Sequence, residues 1–282
     1  MAEQTCGGVS GRCSSGGCVS GHDPVNTKPQ WVNVEGERRR NFVINNYVMT
    51  MQDKKIVVAG GTSGIGLATA QRFHQLGGIV TVTGRQAQRL RAAEGLGLNT
   101  AAVDSRDRKA LDAFFAAQGA VDHLVVAVSG GKGMGEFAKL ALSELREGFE
   151  EKFWPQLETV QSALPYIQPG GSVTLITAIS ATAKLPGVSG LAAVNGALEL
   201  MVAIWARELR TIRVNAVSPG VIDTPWWDFV PRENRQAAFA QYTAGLPVSR
   251  AGRPEEVAEA IVLLAGNGYI TGKVLGVDGG MA

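Results

Sequence analysis

The chain has 282 residues, 45% of them hydrophobic, which suffices for one sizeable folded core. Its 27 basic and 25 acidic residues are interspersed and leave a net charge of +2, so neither nucleic acid nor an anionic membrane is indicated as a partner. No uninterrupted apolar run reaches the roughly 18 residues of a membrane span, and the N-terminus lacks a hydrophobic signal core, so we expect a cytoplasmic protein.

The first segment, residues 1–52, is rich in Gly, Ser, Asn and Cys and shows neither helical nor strand periodicity. This composition predicts a flexible extension or an appended tail, with the folded domain at 53–282. All three cysteines, Cys6, Cys13 and Cys18, lie in this segment at spacings that do not match a zinc finger or ribbon. We therefore expect no metal site, and no cysteine chemistry in the domain.

Beyond this segment, short apolar runs rich in β-branched residues alternate with longer stretches of helical periodicity. The runs lie at 56–59, 79–83, 124–128, 173–177, 212–217 and 274–277, and the helical stretches include 64–76, 107–118, 143–168 and 190–210. Because the strands are apolar throughout, helices should cover both faces of the sheet. The pattern predicts an α/β fold, a single Rossmann-like doubly wound parallel sheet.

A glycine-rich turn follows the first predicted strand and opens the first helix. Glycines there let the backbone approach a pyrophosphate, and the helix N-terminus offers N–H groups and the positive end of its dipole. At a first βα turn this pattern predicts a dinucleotide site. The expected cofactor contacts in the turn are Gly60, Thr62, Ser63, Gly64, Ile65 and Gly66.

The second strand ends at Gly84-Arg85, where an acid would be needed to bind the adenosine ribose hydroxyls. A guanidinium pairs with the 2′-phosphate that an acid would repel, so Arg85 favours NADP(H) over NAD(H). The alternative is that Arg85 only tops the strand. Asp104, after the third strand, is placed to bind the adenine amino group, with a loop or helix-capping role as the alternative.

Two further motifs accompany the glycine turn. They are Arg213-Val214-Asn215-Ala216-Val217-Ser218-Pro219-Gly220, followed by Ile222 and Thr224, and Tyr269-Ile270-Thr271-Gly272 with Val277-Asp278-Gly279-Gly280. With them, residues 54–282 resemble the short-chain dehydrogenase/reductase family. The resemblance implies a nicotinamide-dependent oxidoreductase whose nicotinamide end is held by Pro219, Gly220, Ile222 and Thr224. It also implies a homodimer or homotetramer in which helices 143–168 and 190–210 pair.

The chain departs from this family at the residues that carry its chemistry. Ala178, Leu191 and Asn195 stand where the family has its catalytic Ser, Tyr and Lys. Ala127-Val128-Ser129-Gly130 replaces the usual Asn-Asn-Ala-Gly, and we assign cofactor contacts to Ser129 and Gly130. Lys152 stands where the family has an asparagine in the long helix that follows.

Carbonyl reduction needs a proton donor for the nascent alkoxide and a cation that lowers the pKa of that donor. We assign this chemistry to Lys152, whose ammonium could extend toward position 195. Ser180 is a second candidate, since it could point into the pocket from its loop. The alternative for Lys152 is an ordinary exposed lysine on a helix surface.

Trp226 and Trp227 begin the segment in which the family places a substrate lid. Paired indoles there predict an apolar or aromatic small-molecule substrate, with packing against the domain or a neighbouring subunit as the alternative. The sequence thus predicts an NADP(H)-dependent oxidoreductase that acts on a carbonyl or alcohol through a non-standard proton relay. Two alternatives stay open. One is a catalytically retired NADP(H)-binding member that serves as sensor, scaffold or oligomer partner, and the other is a non-redox enzyme that uses the same pocket.

Overall fold

The structure, a computed structural model, describes residues 50–282. Its strands are β1 (Lys55–Ala59), β2 (Ile79–Gly84), β3 (Asn99–Ala102), β4 (Val121–Val126), β5 (Ile167–Ile176), β6 (Arg213–Pro219) and β7 (Val274–Val277). They form one parallel sheet in the order β3-β2-β1-β4-β5-β6-β7. The central strands are buried on both faces, which explains their continuous apolarity. The doubly wound α/β fold expected from the sequence is confirmed.

Helices cover both faces of the sheet. Within the described residues they are α1 (Gly64–Gln75), α2 (Ala87–Glu94), α3 (Arg108–Gln118), α4 (Leu142–Gly148), α5 (Trp154–Ala163), α6 (Ser189–Glu208), α7 (Arg232–Thr243) and α8 (Pro254–Gly266). On one face, Phe73 of α1 and Ile261 of α8 belong to one buried cluster, with α8 lying over β5, β6 and β7. On the other, Phe115 of α3 and Leu198 of α6 pack on β4, β5 and β6. Each face therefore has its own apolar core.

The stretch 143–168 is not one helix, contrary to the prediction. Between α4 and α5 lies a π-helical turn, Phe149–Phe153, and Ile167 already begins β5. Pro155 has no N–H to donate to the carbonyl of residue 151, so a regular α-helical ladder cannot run through this point. The apolar periodicity continues across the proline and therefore suggested a single helix. The interruption places Lys152 on the π-helical turn.

The folded part begins earlier than residue 53. Met51 is 2% exposed and belongs to the same buried cluster as Ile56 and Phe73, and its N–H donates to the Leu76 carbonyl at 2.9 Å. The expected boundary was too late, because one buried methionine produces no periodicity in the sequence. The rest of the tail prediction, with Cys6, Cys13 and Cys18, falls outside the described residues.

Helix α6 has twenty residues, and by length and composition alone it could cross a membrane, with a mean hydropathy of 1.4. This is a weak indication, because core helices of globular domains meet the same requirement. Leu198 and Val202 lie fully buried in the core, whereas Leu200 is 76% and Ile204 54% exposed. The helix therefore has one face packed on the sheet and a second apolar face that residues 50–282 leave uncovered.

Candidate active site

The glycine turn lies at the carboxyl end of β1, where the strand order reverses between β1 and β4. Ligands of doubly wound sheets bind in the crevice at this place. Gly60 has φ +76°, and a Cβ added there would lie 2.9 Å from the carbonyl carbon of Ala127 in the loop after β4. A Cβ on Gly66 would collide with the Gly60 carbonyl oxygen. The fold thus requires glycine at both positions and leaves the N-terminus of α1 open to the crevice.

Thr224 is brought to the glycine turn from the segment after β6. A Cβ added to Gly64 would lie 3.3 Å from the Thr224 Cβ, and the Thr224 hydroxyl accepts from the backbone N–H of Trp226 at 3.3 Å. Thr224 thereby begins a 3₁₀ turn, Pro225–Phe229. Pro219 ends β6, and Gly220 follows it at the same edge of the sheet. The residues expected at the phosphates and at the nicotinamide end therefore meet in one crevice.

Arg85 lies exposed at the carboxyl end of β2, with its Nη1 4.0 Å from Asp104 Oδ2. Asp104 is bound more closely by Arg106, with Nη2 2.8 Å from Oδ2, and this hydrogen bond lowers the pKa of Asp104. The helix-capping alternative for Asp104 is wrong, because Asp107 accepts from the Ala110 N–H at the start of α3. Asp104 instead accepts from the Arg106 N–H within its own loop.

A second arginine near the adenosine end was missed in the sequence. Arg89 on α2 extends back to the glycine turn, and its Nη1 lies 3.4 Å from the Ser63 hydroxyl oxygen. Arg85 precedes α2, which begins at Ala87, so no helical spacing relates the two arginines and no signal in the sequence pointed to Arg89. Thr62 also packs here, because a Cβ on Gly84 would lie 2.7 Å from the Thr62 methyl group.

Lys152 is buried at 6% exposure, so the alternative of an exposed helix lysine is wrong. Its Nζ donates to the carbonyl oxygen of Thr177 at 3.0 Å. One turn later, Gln156 donates to the carbonyls of Val128 and Ile176, which pins this side of the helix over the carboxyl ends of β4 and β5. Burial lowers the pKa of Lys152 to about 8, and the Glu199 carboxylate opposes that shift.

Glu199 is a further site residue that sequence reasoning missed. Its Oε1 accepts hydrogen bonds from the Thr177 hydroxyl at 2.7 Å and the Ser218 hydroxyl at 2.8 Å. It stands four residues after Asn195 and therefore on the same side of α6. That spacing, together with a hydroxyl residue at the end of β5 and another on β6, was the signal that could have revealed it.

Position 195 is occupied by a buried amide. Asn195 is 3% exposed, and its Nδ2 donates to the Leu191 carbonyl at 2.9 Å and to the Ser180 hydroxyl oxygen at 3.2 Å. Ser180 lies on a 3₁₀ turn, Ile179–Ala181, and is itself buried. The structure therefore brings Ser180 and Asn195 together, and the hydrogen bond between these two side chains is buried inside the protein.

The two tryptophans differ in their surroundings. Trp227 is 8% exposed, donates from Nε1 to the Ile222 carbonyl at 3.0 Å and packs edge-on against Phe239. For Trp227 the packing alternative is the correct one. Trp226 reaches across the crevice instead, and its Nε1 donates to the Gly130 carbonyl at 3.3 Å. The exposed Ser129 precedes Gly130 in the loop after β4.

Within residues 50–282, His, Cys, Asp and Glu side chains form no group of three that could hold a metal ion. The polar groups of the crevice are instead the N-terminus of α1, the hydroxyls of Thr62, Ser63 and Thr224, and the arginines near β2. This set of donors fits the phosphates of a dinucleotide.

Comparisons with known proteins agree with this geometry. The family model described as enoyl-(acyl carrier protein) reductase matches residues 59–282. The chain is 31% identical over 261 residues to the 3-oxoacyl-[acyl-carrier-protein] reductase FabG of Thermotoga maritima, which spans 83% of this chain and 99% of that protein.

Solved structures are similar over the same region. A small-chain dehydrogenase in complex with NADPH has a TM-score of 0.72 and 29% identity, covering 82% of this chain and 99% of its own. An apo short chain oxidoreductase from Pseudomonas aeruginosa PAO1, described as containing an atypical catalytic center, has a TM-score of 0.76 and 28% identity, covering 83% and 98%. This chain belongs to the short-chain dehydrogenase/reductase family, whose members related to it are oxidoreductases that use a nicotinamide cofactor.

Proposed function

We propose that this protein is an NADP(H)-dependent oxidoreductase that interconverts a carbonyl and an alcohol, with Lys152 as the group that exchanges the proton. The observation that carries the proposal is the buried ammonium of Lys152 at the carboxyl end of β5. It is hydrogen-bonded to the carbonyl of Thr177, the residue that precedes Ala178. A surface lysine would be hydrated, whereas this one is held inside the fold by the Thr177 carbonyl.

The crevice supports the cofactor assignment. Gly60 and Gly66 leave no room for a side chain, and Thr224 lies beside Gly64. NADPH would supply the hydride. Arg85 would hold its 2′-phosphate, and Arg89 of α2, whose Nη1 lies beside the Ser63 hydroxyl, is a second guanidinium near the glycine turn. Because the Ile222 carbonyl already accepts from Trp227, the Ile222 N–H is the backbone group left for the carboxamide. The NADPH complex of a relative supports this choice of cofactor.

Lys152 is suited to both directions of the reaction. A pKa of about 8 leaves substantial amounts of ammonium and amine near neutral pH, so the group can give a proton in reduction and accept one in oxidation. Its side chain is fixed by the Thr177 carbonyl and by the packing of the π-helical turn. Turns of this kind occur often at functional sites, because they redirect one side chain without ending the helix.

The substrate class follows from the rim of the crevice. Trp226 and Phe229 pack edge-on, with ring centroids 5.3 Å apart, and Phe229 is 60% exposed. An apolar or aromatic carbonyl compound would bury these rings. The Thermotoga maritima relative, a 3-oxoacyl-[acyl-carrier-protein] reductase, acts in the same reaction class.

The decisive experiment compares the wild type with Lys152→Met, which keeps the length of the side chain and removes its charge. Hydride transfer from NADPH is followed by absorbance over a panel of aromatic and aliphatic ketones and aldehydes. We expect the variant to lose about 10²–10⁴ in rate with NADPH affinity retained. Lys109→Met, on the exposed side of α3, is the matched control. Equal rates in wild type and Lys152→Met would refute the role of Lys152, and a wild type inactive on every carbonyl would favour the retired family member.

A further inference from the structure

Lys152 has an unusual electrostatic position inside the fold. Its ammonium is buried, and its hydrogen-bond acceptor in the described residues is a neutral carbonyl, that of Thr177. Desolvation of a cation is costly unless an opposite charge lies near it. The charge that compensates this ammonium therefore has to be found on the elements packed around the π-helical turn.

The charged groups on these elements are Glu144, Arg146 and Glu147 of α4, Glu150 and Glu151 of the turn itself, Glu158 of α5, and Glu199, Arg207 and Glu208 of α6. Glu147 pairs with Lys132 at 3.6 Å, and Glu151 accepts from the Gly131 N–H. Glu199 is the group whose charge acts on Lys152.

Thr177 connects the two residues. Its carbonyl oxygen accepts from Lys152 Nζ. Its hydroxyl lies 2.7 Å from Glu199 Oε1 and 3.1 Å from the Val217 carbonyl oxygen, and its single proton goes to the closer, charged acceptor. The backbone N–H of Thr177 donates to the Val217 carbonyl at 2.9 Å, so this residue is fixed to β6. A second hydroxyl, that of Ser218, donates to the same carboxylate oxygen. Glu199 is thus held in one orientation by two hydroxyls, and one of them belongs to the residue whose carbonyl binds Lys152.

We propose that Glu199 is a positioning residue for Lys152, and that its carboxylate, fixed through Thr177 and Ser218, keeps the buried ammonium charged and sets the pH at which it gives up its proton. Burial alone favours the amine, and Glu199 opposes this effect. Removal of the carboxylate charge leaves desolvation unopposed. The consequence for catalysis rests on the proposed function, whereas the effect on the titration of Lys152 does not.

The direct test follows the titration of Lys152 in the full chain by NMR, with ¹³C-labelled lysine. The sequence has nine lysines, so the Cε signals can be resolved, and Lys152→Met assigns the relevant one. We expect its midpoint near pH 8 in the wild type and lower by about one pH unit or more in Glu199→Gln. Glu199→Asp, which keeps the charge, should restore most of the shift. Glu208→Gln, at the exposed end of the same helix, is the matched control. The same midpoint in Glu199→Gln as in the wild type would overturn the proposal.

A second pair of variants keeps the proposal testable if Glu199→Gln does not fold. Thr177→Val removes the hydroxyl that holds Glu199 but keeps the carbonyl that holds Lys152, and Thr177→Ser retains both. We expect the midpoint to fall in Thr177→Val only, and an equal midpoint in both would count against Glu199. In the hydride-transfer assay, the alkaline limb of the pH profile should shift with the NMR midpoint. A shifted midpoint with a rate indifferent to Lys152→Met would refute the proposed function and leave the positioning role standing.

Discussion

Trp226 and Glu151 bind the two polar atoms of a single peptide group. The Trp226 Nε1–H donates to the carbonyl oxygen of Gly130 at 3.3 Å, and the N–H of Gly131 donates to Glu151 Oε2 at 3.2 Å. Both atoms belong to the linkage between Gly130 and Gly131, in the loop where we expect cofactor contacts. The segment after β6 is thereby tied across the mouth of the crevice to the π-helical turn that carries Lys152.

The first prediction concerns this tie. Trp226→Phe keeps an aromatic ring and removes the indole N–H, so it should release the segment from Gly130. A hydrogen bond of about 1 kcal/mol corresponds to about fivefold, and we expect NADPH to dissociate faster by about this factor. Stopped-flow fluorescence measures the rate, with Trp154→Phe on the outer side of α5 as the control. Identical dissociation rates in Trp226→Phe and the wild type would show that the contact does not retain the cofactor.

The second prediction concerns the choice of cofactor. Arg85→Ala should weaken NADPH binding by about tenfold or more and change NADH binding by about twofold at most, because only NADPH carries the phosphate that pairs with the guanidinium. Arg91→Ala, an exposed arginine on α2, controls for the loss of one positive charge. Fluorescence titration of both cofactors measures the affinities. Equal losses for the two cofactors would remove the argument for a 2′-phosphate site.

The third prediction concerns stability and pH. His123 is 7% exposed, its Nδ1 lies 2.9 Å from the Ser172 hydroxyl oxygen, and burial with the nearby Arg213 lowers its pKa from 6.5 to about 4. Between pH 6.5 and 4, the His123 imidazole is therefore protonated in the unfolded chain but stays neutral in the folded protein. The free energy of unfolding should fall by about 3 kcal/mol as pH falls through this interval.

Urea denaturation at several pH values checks this expectation. His123→Gln should lose most of the dependence between pH 6.5 and 4, whereas His74→Gln, an exposed histidine on α1, should retain it. Carboxylates with lowered pKa, such as Glu256 at about 2, begin to lose their contribution near their ordinary pKa of about 4.5, but they are the same in both variants, so the difference between His123→Gln and His74→Gln isolates His123. An unchanged pH dependence in His123→Gln would contradict the assignment.

The sequence predicted the fold well where the local backbone geometry or burial allows only certain residue types. Gly60 and Gly66, which follow the first strand, predict a tight turn. The continuous apolarity of β1 and β4 predicts that these strands are buried on both faces. The burial of Lys152 could not be predicted, because a lysine that follows two glutamates is typical of an exposed helix surface. Its direction depends on the π-helical turn, and that turn depends on the missing N–H of Pro155. The role of Glu199 could not be predicted for a related reason, because its hydrogen-bond partners Thr177 and Ser218 are far from it in the sequence.

The fourth prediction concerns assembly. Leu200 and Ile204 form an apolar face on the outer side of α6 that is exposed within the described part of the chain, and such faces mark contacts between proteins. We expect a homodimer or homotetramer at micromolar concentration, measured by light scattering. Leu200→Glu combined with Ile204→Glu should lower the mass, whereas Leu185→Glu, an exposed leucine in the loop before α6, should not. A monomeric wild type would refute the interface.

The fifth prediction converts the site to the family's usual residues. Ala178→Ser, Leu191→Tyr and Asn195→Lys together would introduce a second ammonium close to Lys152, in a region where Asn195 is 3% exposed. Two neighbouring buried cations repel each other, so the triple variant should be less stable than the wild type. Adding Lys152→Asn removes the repulsion and should restore the melting temperature. The quadruple variant should then reduce generic ketones with NADPH, because Gly60, Gly66 and Thr224 still present the cofactor. A stable quadruple variant that binds NADPH but reduces none of the ketones would show that the crevice does not place the nicotinamide for hydride transfer.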